Sequence, residues 1–451
     1  MTSEKPYPDS RHKILIVAYH YPPDAAVGAL RPARFTRYLA EHGWVPHVLT
    51  IKERFVDLRD ARLLQGLESV PVLRTDYYRT PLDVYGARKE KRAPDTAPFE
   101  GGTGVDTTER SRGFRACILR VKFCLIELGR YPDNRIFWLF PAVWHGYRLI
   151  RREKIRYIFA TSPPYTVDLI AMLLARLTGC RLVIDHRDPW AACKGEIGTK
   201  FTRGVSRRLE RMVFGAAAKV ITTAHRYTEA LKLSYPAMPA GKFVTITNGF
   251  DERYEQLSVV ERDRSRFVMT YIGNFYDGRN PRVFFRVLQE LASTEPGFRD
   301  RAQVLFVGTP RIVDGVDLKE LVEECGLTAM VRFMDRVPND EALGLMARSD
   351  VLLLFAPDNW QYQVPAKTYE YFAVRRPILA FTGDGATADM VRNYRAGLVV
   401  PQDDPPAIAR AIRSLYRGED AEFYDGEDVS MFSFRHKCAE LAQLLKGLAP
   451  V

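Results

Sequence analysis

The chain has 451 residues, of which 46% are hydrophobic and 27% charged. That is the make-up of a globular protein of two or three domains, and it excludes collagen-like, mucin-like and disordered classes. No apolar run approaches the ~18–20 residues of a membrane span. The polar start MTSEKPYPDSRHK lacks the apolar stretch of a signal peptide, so a cytoplasmic location is expected. The net charge of +11 is unevenly placed: residues 1–255 carry 42 Lys+Arg against 27 Asp+Glu, and residues 256–451 carry 24 against 28. A basic N-terminal half suits an anionic surface, whether lipid or nucleic acid. None of the six cysteines sits in a C-x-x-C pair, which argues against zinc and thioredoxin-like chemistry and for free thiols.

Lys13–Tyr19 reads as a buried strand, Ala29–His42 as a helix between Gly28 and Gly43, and Val45–Ile51 as a second strand. The stretch 84–112, rich in charge, Gly and Thr, reads as a mobile insertion, and Gly113–Leu128 as a basic amphipathic helix. Tyr157–Ala160, Arg181–Asp185 and Ala218–Thr223 continue the strands. After a charged stretch the pattern restarts at Arg266–Gly273, followed by strands at Gln303–Gly308, Met330–Phe333, Asp350–Phe355 and Pro377–Phe381. Helices are expected between them, near 281–292, 317–325, 339–348 and 365–373. Short β-rich runs alternating with helices predict an α/β chain of two Rossmann-like domains with parallel sheets. The expected division is 1–255, 256–432 and a final helix over 433–451 that returns to the first domain.

Two such domains imply a cleft at the carboxyl ends of the strands. The loop after the first strand, HYPPDAAVG, ends at Gly28 near a helix start. Main-chain N–H groups there can face a phosphate, although an ordinary turn fits the residues equally well. In Asp185–Trp190, DHRDPW, Asp188 can bind a sugar hydroxyl and Arg187 a phosphate; the alternative is a pair that only fixes the loop. His186-Arg187-Asp188 also spells a kinase catalytic loop, but residue 193 is Cys where that motif needs Asn. Gly273 and Asn274 open a loop that can approach a ligand, and Arg279 beyond them suits a diphosphate; a surface turn is the alternative. In YQVPAKTYEYFAVRRPIL, Lys367 and Glu370 share a helix, and a carboxylate there can accept both hydroxyls of a ribose.

Taken together, KILIVAYHYPP with Gly28, TSPPYTVDLIAMLLA before DHRDPW, ITNGFD, YIGNFYDGR and VPAKTYEYFAVRRPILAF resemble glycosyltransferase family 4, in its bacterial polysaccharide branch. The resemblance implies a GT-B fold and a retaining transfer from a nucleotide diphosphate sugar to a lipid-linked or saccharide acceptor, with front-face attack and the donor phosphate taking the acceptor proton. It would place Gly28 against the donor phosphates, Arg187 and Asp188 at the transferred sugar, Arg279 at the leaving diphosphate and Glu370 on the ribose. Two positions depart from the family: Tyr362 stands where the first Glu of an E-x7-E signature belongs, and Asn274 where many members carry a second cation. With no D-x-D triplet, no essential metal or other cofactor is expected. The expected partners are a nucleotide sugar, the acceptor and an anionic membrane surface met peripherally from the cytoplasm; nucleic acid is not one. A non-catalytic nucleotide-sugar-binding relative and a sugar-nucleotide epimerase are the alternatives.

Overall fold

The computed structural model describes residues 12–77, 131–193, 200–251, 262–275, 278–357, 360–419 and 422–448. The insertion expected at 84–112 and the helix expected at 113–128 lie outside them. The chain divides into two units. The first holds residues up to Thr222 with Leu231–Val244 and Leu441–Val451; the second holds Thr223–Ala230 and Thr245–Glu440. The sequence placed the division near 255 and the return at 433; the chain changes unit at Thr223, Leu231, Thr245 and Leu441. Among the described residues no helix is long and apolar enough to cross a membrane.

The first unit is built on a seven-stranded parallel sheet in the order β3-β2-β1-β4-β5-β6-β7. The strands are β1 His12–Ala18, β2 Trp44–Ile51, β3 Val72–Thr75, β4 Tyr157–Ser162, β5 Arg181–His186, β6 Lys219–Thr222 and β7 Phe243–Thr245, whose last residue falls in the second unit. β1, β4 and β5 are buried along nearly their whole length because helices cover both faces of the sheet. The helices are α1 Val27–Leu39, α2 Leu139–Glu153, α3 Thr166–Thr178, α4 Lys200–Ala216 and α5 His225–Ser234, which passes between the units. α2 packs on α3 through Gly146, where an added Cβ would lie 2.9 Å from Leu174 and 3.0 Å from Leu49.

The second unit has a six-stranded parallel sheet in the order β12-β9-β8-β13-β14-β15, with a two-stranded hairpin, β10-β11. Its strands are β8 Phe267–Ile272, β9 Ala302–Val307, β10 Ile312–Val313, β11 Val316–Asp317, β12 Val331–Met334, β13 Val351–Phe355, β14 Ile378–Phe381 and β15 Gly397–Val400. Its longer helices are α6 Arg282–Thr294, α7 Leu318–Glu324, α8 Asn339–Arg348, α9 Ala366–Val374, α10 Ala386–Asn393, α11 Pro405–Arg417 and α12 Phe434–Lys446, whose end belongs to the first unit. Aromatic rings fill the core: Phe355 stacks on Phe381 at 4.3 Å, Tyr271 on Phe275 at 4.5 Å, and Phe284 packs edge-on to Phe381 at 5.4 Å. Buried Glu295 receives Arg413 and Arg417 from α11 and so fastens that helix beside the end of α6. β3, β7, β15 and the hairpin were absent from the sequence reading, as were α2, α5, α10 and α11.

In both sheets the chain reverses its direction of strand addition beside the first strand of the unit, β1 or β8. The crevice outside the carboxyl ends there is the usual ligand position of open parallel sheets.

Gly397 shows how tightly the edge of the second sheet is built. It pairs with Ile378 at φ +155°, and an added Cβ would overlap the Ile378 carbonyl oxygen and lie 2.5 Å from its nitrogen. Gly397→Ala is therefore expected to cost about 3 kcal/mol or more. Gly418→Ala, at φ +68° with nothing within 4 Å, should cost only about 1 kcal/mol. Urea unfolding of both variants checks the contrast; equal midpoints would contradict it.

Candidate functional site

In the first unit the carboxyl end of β5 leads into three consecutive residues, Asp185, His186 and Arg187, each tied to neighbouring elements. Asp185 is fully buried and receives Arg31 of α1 in a bidentate pair, with Nη2–Oδ1 2.8 Å and Nε–Oδ2 3.0 Å. Thr161 of β4 donates to the same carboxylate at 2.7 Å. His186, also fully buried, has Nδ1 3.2 Å from Asp168 of α3 and Nε2 3.5 Å from Glu210 of α4. Arg187 donates from Nε to the Ser162 carbonyl at 3.0 Å, from Nη1 to Gly28 at 3.1 Å and from Nη2 to Pro163 at 3.0 Å. Arg187 and Gly28, candidates from distant segments, therefore do meet. They meet as a guanidinium on a main-chain carbonyl, which binds the first turn of α1 to the ends of β4 and β5.

Asp188 follows, half-buried, and its main-chain carbonyl lies 3.3 Å from the Tyr165 hydroxyl. Tyr165 stacks on Trp190 with ring centres 4.7 Å apart. Glu210 accepts the N–H groups of Ala191 and Ala192 at 3.1 and 3.0 Å and the Tyr235 hydroxyl. The buried carboxylate thus holds the loop that leaves β5. Sequence reasoning missed His186, Asp168 and Glu210 because the partners lie far apart along the chain. A buried Asp on α3 and a buried Glu on the strongly basic α4 are visible as such only once the helices are docked.

The loop between β1 and α1 holds a second missed pair. His20 Nδ1 lies 2.6 Å from Asp24 Oδ2, and Asp24 Oδ1 accepts the Ala26 N–H at 2.9 Å. Burial alone would raise the Asp24 carboxyl, but the bonds from His20 and Ala26 outweigh it and hold the group below its ordinary value.

In the second unit the candidates gather where β8 ends. Gly273 has φ +122°, and a Cβ there would run into the ammonium of Lys367. Lys367 reaches back from the first turn of α9, donates to the Ile272 carbonyl and stands 4.5 Å from the Tyr271 ring centre. Burial and then the nearby Arg279 charge lower its pKa to about 7, with Glu370 acting the other way. Arg279 is 3% exposed, its guanidinium 4.8 Å from the Trp360 ring centre. Glu370 lies one turn beyond Lys367 on α9, half-buried. Asn274 is exposed, and its carbonyl accepts the Tyr271 hydroxyl at 2.9 Å. Tyr362 is half-buried, 6.3 Å from the Tyr227 ring centre. Two cations and a carboxylate thus stand about one glycine-floored strand end, an arrangement able to receive a phosphate beside a hydroxyl-bearing ring.

The buried histidine makes a pH prediction. Burial opposes its charge, but the carboxylates of Asp168 and Glu210 overcome this and raise its pKa from 6.5 to about 9. The folded value exceeds the unfolded one, so the stabilisation is complete below about pH 6.5 and lost as pH rises through 9. Its size is about 3 kcal/mol. The difference in melting temperature between wild type and His186→Gln should therefore shrink from pH 6.5 to 9; a constant difference would contradict it.

Residues 266–418 match the family model described as glycosyl transferases group 1. A D-inositol 3-phosphate glycosyltransferase of Corynebacterium jeikeium is 24% identical over 231 residues, 49% of this chain and 53% of the relative. One of Nocardioides sp. is 28% identical over 184 residues, 38% of this chain and 39% of the relative. The chain thus spans about half or less of the length of these curated relatives. Among solved structures, a Rickettsia africae glycosyltransferase superposes with a TM-score of 0.62 at 12% identity, over 97% of this chain and 98% of that one. Anabaena HepE, solved in complex with UDP and glucose, superposes at 0.59 and 15% identity, over 97% and 100%. Residues 266–418 are therefore similar to the group 1 glycosyl transferases, within a chain that has the two-sheet GT-B fold.

Proposed function

We propose that the protein is a glycosyltransferase that moves a sugar from a nucleotide diphosphate donor to a saccharide or lipid-linked acceptor at a membrane surface, in the assembly of a surface polysaccharide or glycoconjugate. The observation that carries this reading is the grouping of Gly273, Lys367, Arg279 and Glu370 at the end of β8, inside the segment that matches the group 1 transferases. Breaking the sugar–diphosphate bond builds negative charge on the leaving group, and preorganised positive groups stabilise that charge. Arg279 and Lys367 would supply them in place of a metal. Glu370 would take the ribose hydroxyls, while Asn274 would border the same loop. In the first unit, Gly28 would face the donor phosphates and Asp188 the transferred sugar, with Arg187 holding their loops in place. Retention of configuration belongs to the reading on the resemblance alone.

UDP-glucose is the probe of choice, since HepE was solved with it. Arg279→Ala should lower kcat more than it raises KM, because the charge it serves grows in the transition state. Glu370→Gln should weaken donor binding by about 1–3 kcal/mol, and turnover should survive a chelator. Calorimetry and UDP release test these together. Unchanged donor affinity in Glu370→Gln, or turnover abolished by chelation and restored by manganese, would refute the corresponding part. Tyr362, at the place of an expected carboxylate, favours one second reading, a non-catalytic relative; UDP-glucose binding without UDP release would select it.

The membrane part of the proposal draws support from α2. Its inner face is buried, whereas Phe140 (72% exposed), Trp144 (62%) and Tyr147 (37%) form a stripe facing solvent. Arg148, 5.9 Å from the Trp144 ring centre, and Arg151 and Arg152 stand exposed beside it. Lys154 and Arg156 extend the charge into the turn before β4. Aromatic side chains flanked by cations suit an anionic headgroup layer on the cytoplasmic face. The protein should sediment with phosphatidylglycerol-containing vesicles but not with phosphatidylcholine alone, and less so as salt rises. The double variant Phe140→Ser, Trp144→Ser should lose about tenfold in binding. Undiminished binding by the variant would exclude this face, and no binding by wild type would favour a soluble acceptor.

A further inference from the structure

Lys367 starts in the first turn of α9, and its side chain runs back to the end of β8. Gly273 leaves it room there, since an added Cβ would overlap the Lys367 Nζ. Nζ donates to the Ile272 carbonyl and stands 4.5 Å from the Tyr271 ring centre. Among the described residues no carboxylate lies within ion-pair distance of it. Elsewhere the chain treats an enclosed cation differently. Lys437, with a side chain 3% exposed, is 2.6 Å from the Glu440 carboxylate, and Arg31 holds Asp185. Lys367 has a carbonyl and a ring instead of an acid, and a second cation, Arg279, acts on it.

Two basic groups enclosed at one strand end repel each other, and the one that deprotonates more readily gives up its proton. The guanidinium of Arg279, itself 3% exposed and packed on Trp360, stays charged. That leaves the amine. The titratable groups about it are Arg279 in the loop between β8 and α6, Tyr271 on β8, and Glu370 and Tyr371 on α9 itself. Glu370 favours the ammonium, but burial and then Arg279 outweigh it and bring the pKa down to about 7. Burial holds the Tyr371 phenol protonated. The strand end is thus built to admit a lysine while giving it no acid to keep its charge.

We propose that the second unit binds a diphosphate together with one proton: above neutral pH, Lys367 is a neutral amine in the empty site and an ammonium against the bound phosphates. This rests on the donor reading above. The proton comes from solvent, and no covalent bond other than the new N–H is made or broken. Opposite charge brought close to the amine favours its protonated form, so a ligand bearing two phosphate groups supplies what the protein withholds. More protons are bound in the complex than in the free protein, and affinity therefore falls as pH rises above 7.

Calorimetry of UDP binding to the full chain, in buffers of different ionisation enthalpy at each pH, counts the protons. The window is pH 7.5 to 9, above the second phosphate pKa of about 6. Wild type should take up roughly 0.9 proton per UDP at pH 8, and its Kd should rise about tenfold from pH 8 to 9. Lys367→Arg keeps a charge at every pH, so its uptake should vanish and its Kd stay level. The variant retains every other titrating group, His186 included, so the difference isolates Lys367. Uptake by wild type of less than about 0.3 proton at pH 8, or equal uptake by Lys367→Arg, overturns the proposal. A wild type that binds no UDP overturns the donor reading instead. The pH dependence of Lys367 acylation in the unliganded protein, followed by mass spectrometry, then decides the state of the amine by itself. A midpoint near 7 upholds the neutral amine, and one at the ordinary lysine value of about 10.4 overturns it.

Discussion

The first unit depends on how the end of β5 accommodates charge. Asp185, His186 and Arg187 occupy consecutive positions at the carboxyl end of an interior strand of the parallel sheet, where an unpaired buried charge would cost several kcal/mol. Alternation along the strand sends neighbouring side chains to opposite faces. Asp185 consequently turns to Arg31 on α1, while His186 turns to Asp168 and Glu210 on α3 and α4. Arg187, just past the strand, takes carbonyls from the ends of β4 and α1. One short segment thereby fixes α1, α3, α4 and β4 about the same strand ends. Such pairs contribute little net stability, but removing one partner leaves the other buried and uncompensated.

The second unit solves a related problem with glycine. Lys367 lies where a side chain on Gly273 would otherwise be, so the positive φ at Gly273 and the missing Cβ together admit an ammonium to the end of β8. The ammonium rests on the Ile272 carbonyl and the Tyr271 ring. Its pKa is lowered to about 7 by burial and by Arg279. An incoming diphosphate would reverse that depression, since opposite charge favours the protonated form. The positive charge at this strand end is therefore coupled to what binds there.

The two strand ends differ in what they offer a ligand. At the first, Arg31 and Arg187 are engaged with a carboxylate and main-chain carbonyls, and His20 and Asp188 are half-buried. At the second, cations dominate. This difference follows from burial and hydrogen-bond partners rather than from residue type.

Sequence alone determined the alternation of strands and helices, the restart near residue 266 and the segments in which Gly273, Lys367, Arg279 and Glu370 lie, because buried strands and glycine turns leave local signals. The short strands Val72–Thr75 and Gly397–Val400 escaped it, since four residues, three of them half-buried, carry too little pattern to separate from a loop. α2 escaped because its outer stripe is aromatic rather than polar, which blurs the period. Tertiary structure alone decided the partners. It turned Arg187 from a free cation into a clamp on Gly28, made His186 part of a buried charged group and set Asp24 on His20. Each of these depends on a hydrogen-bond direction or a depth of burial that residue spacing does not encode.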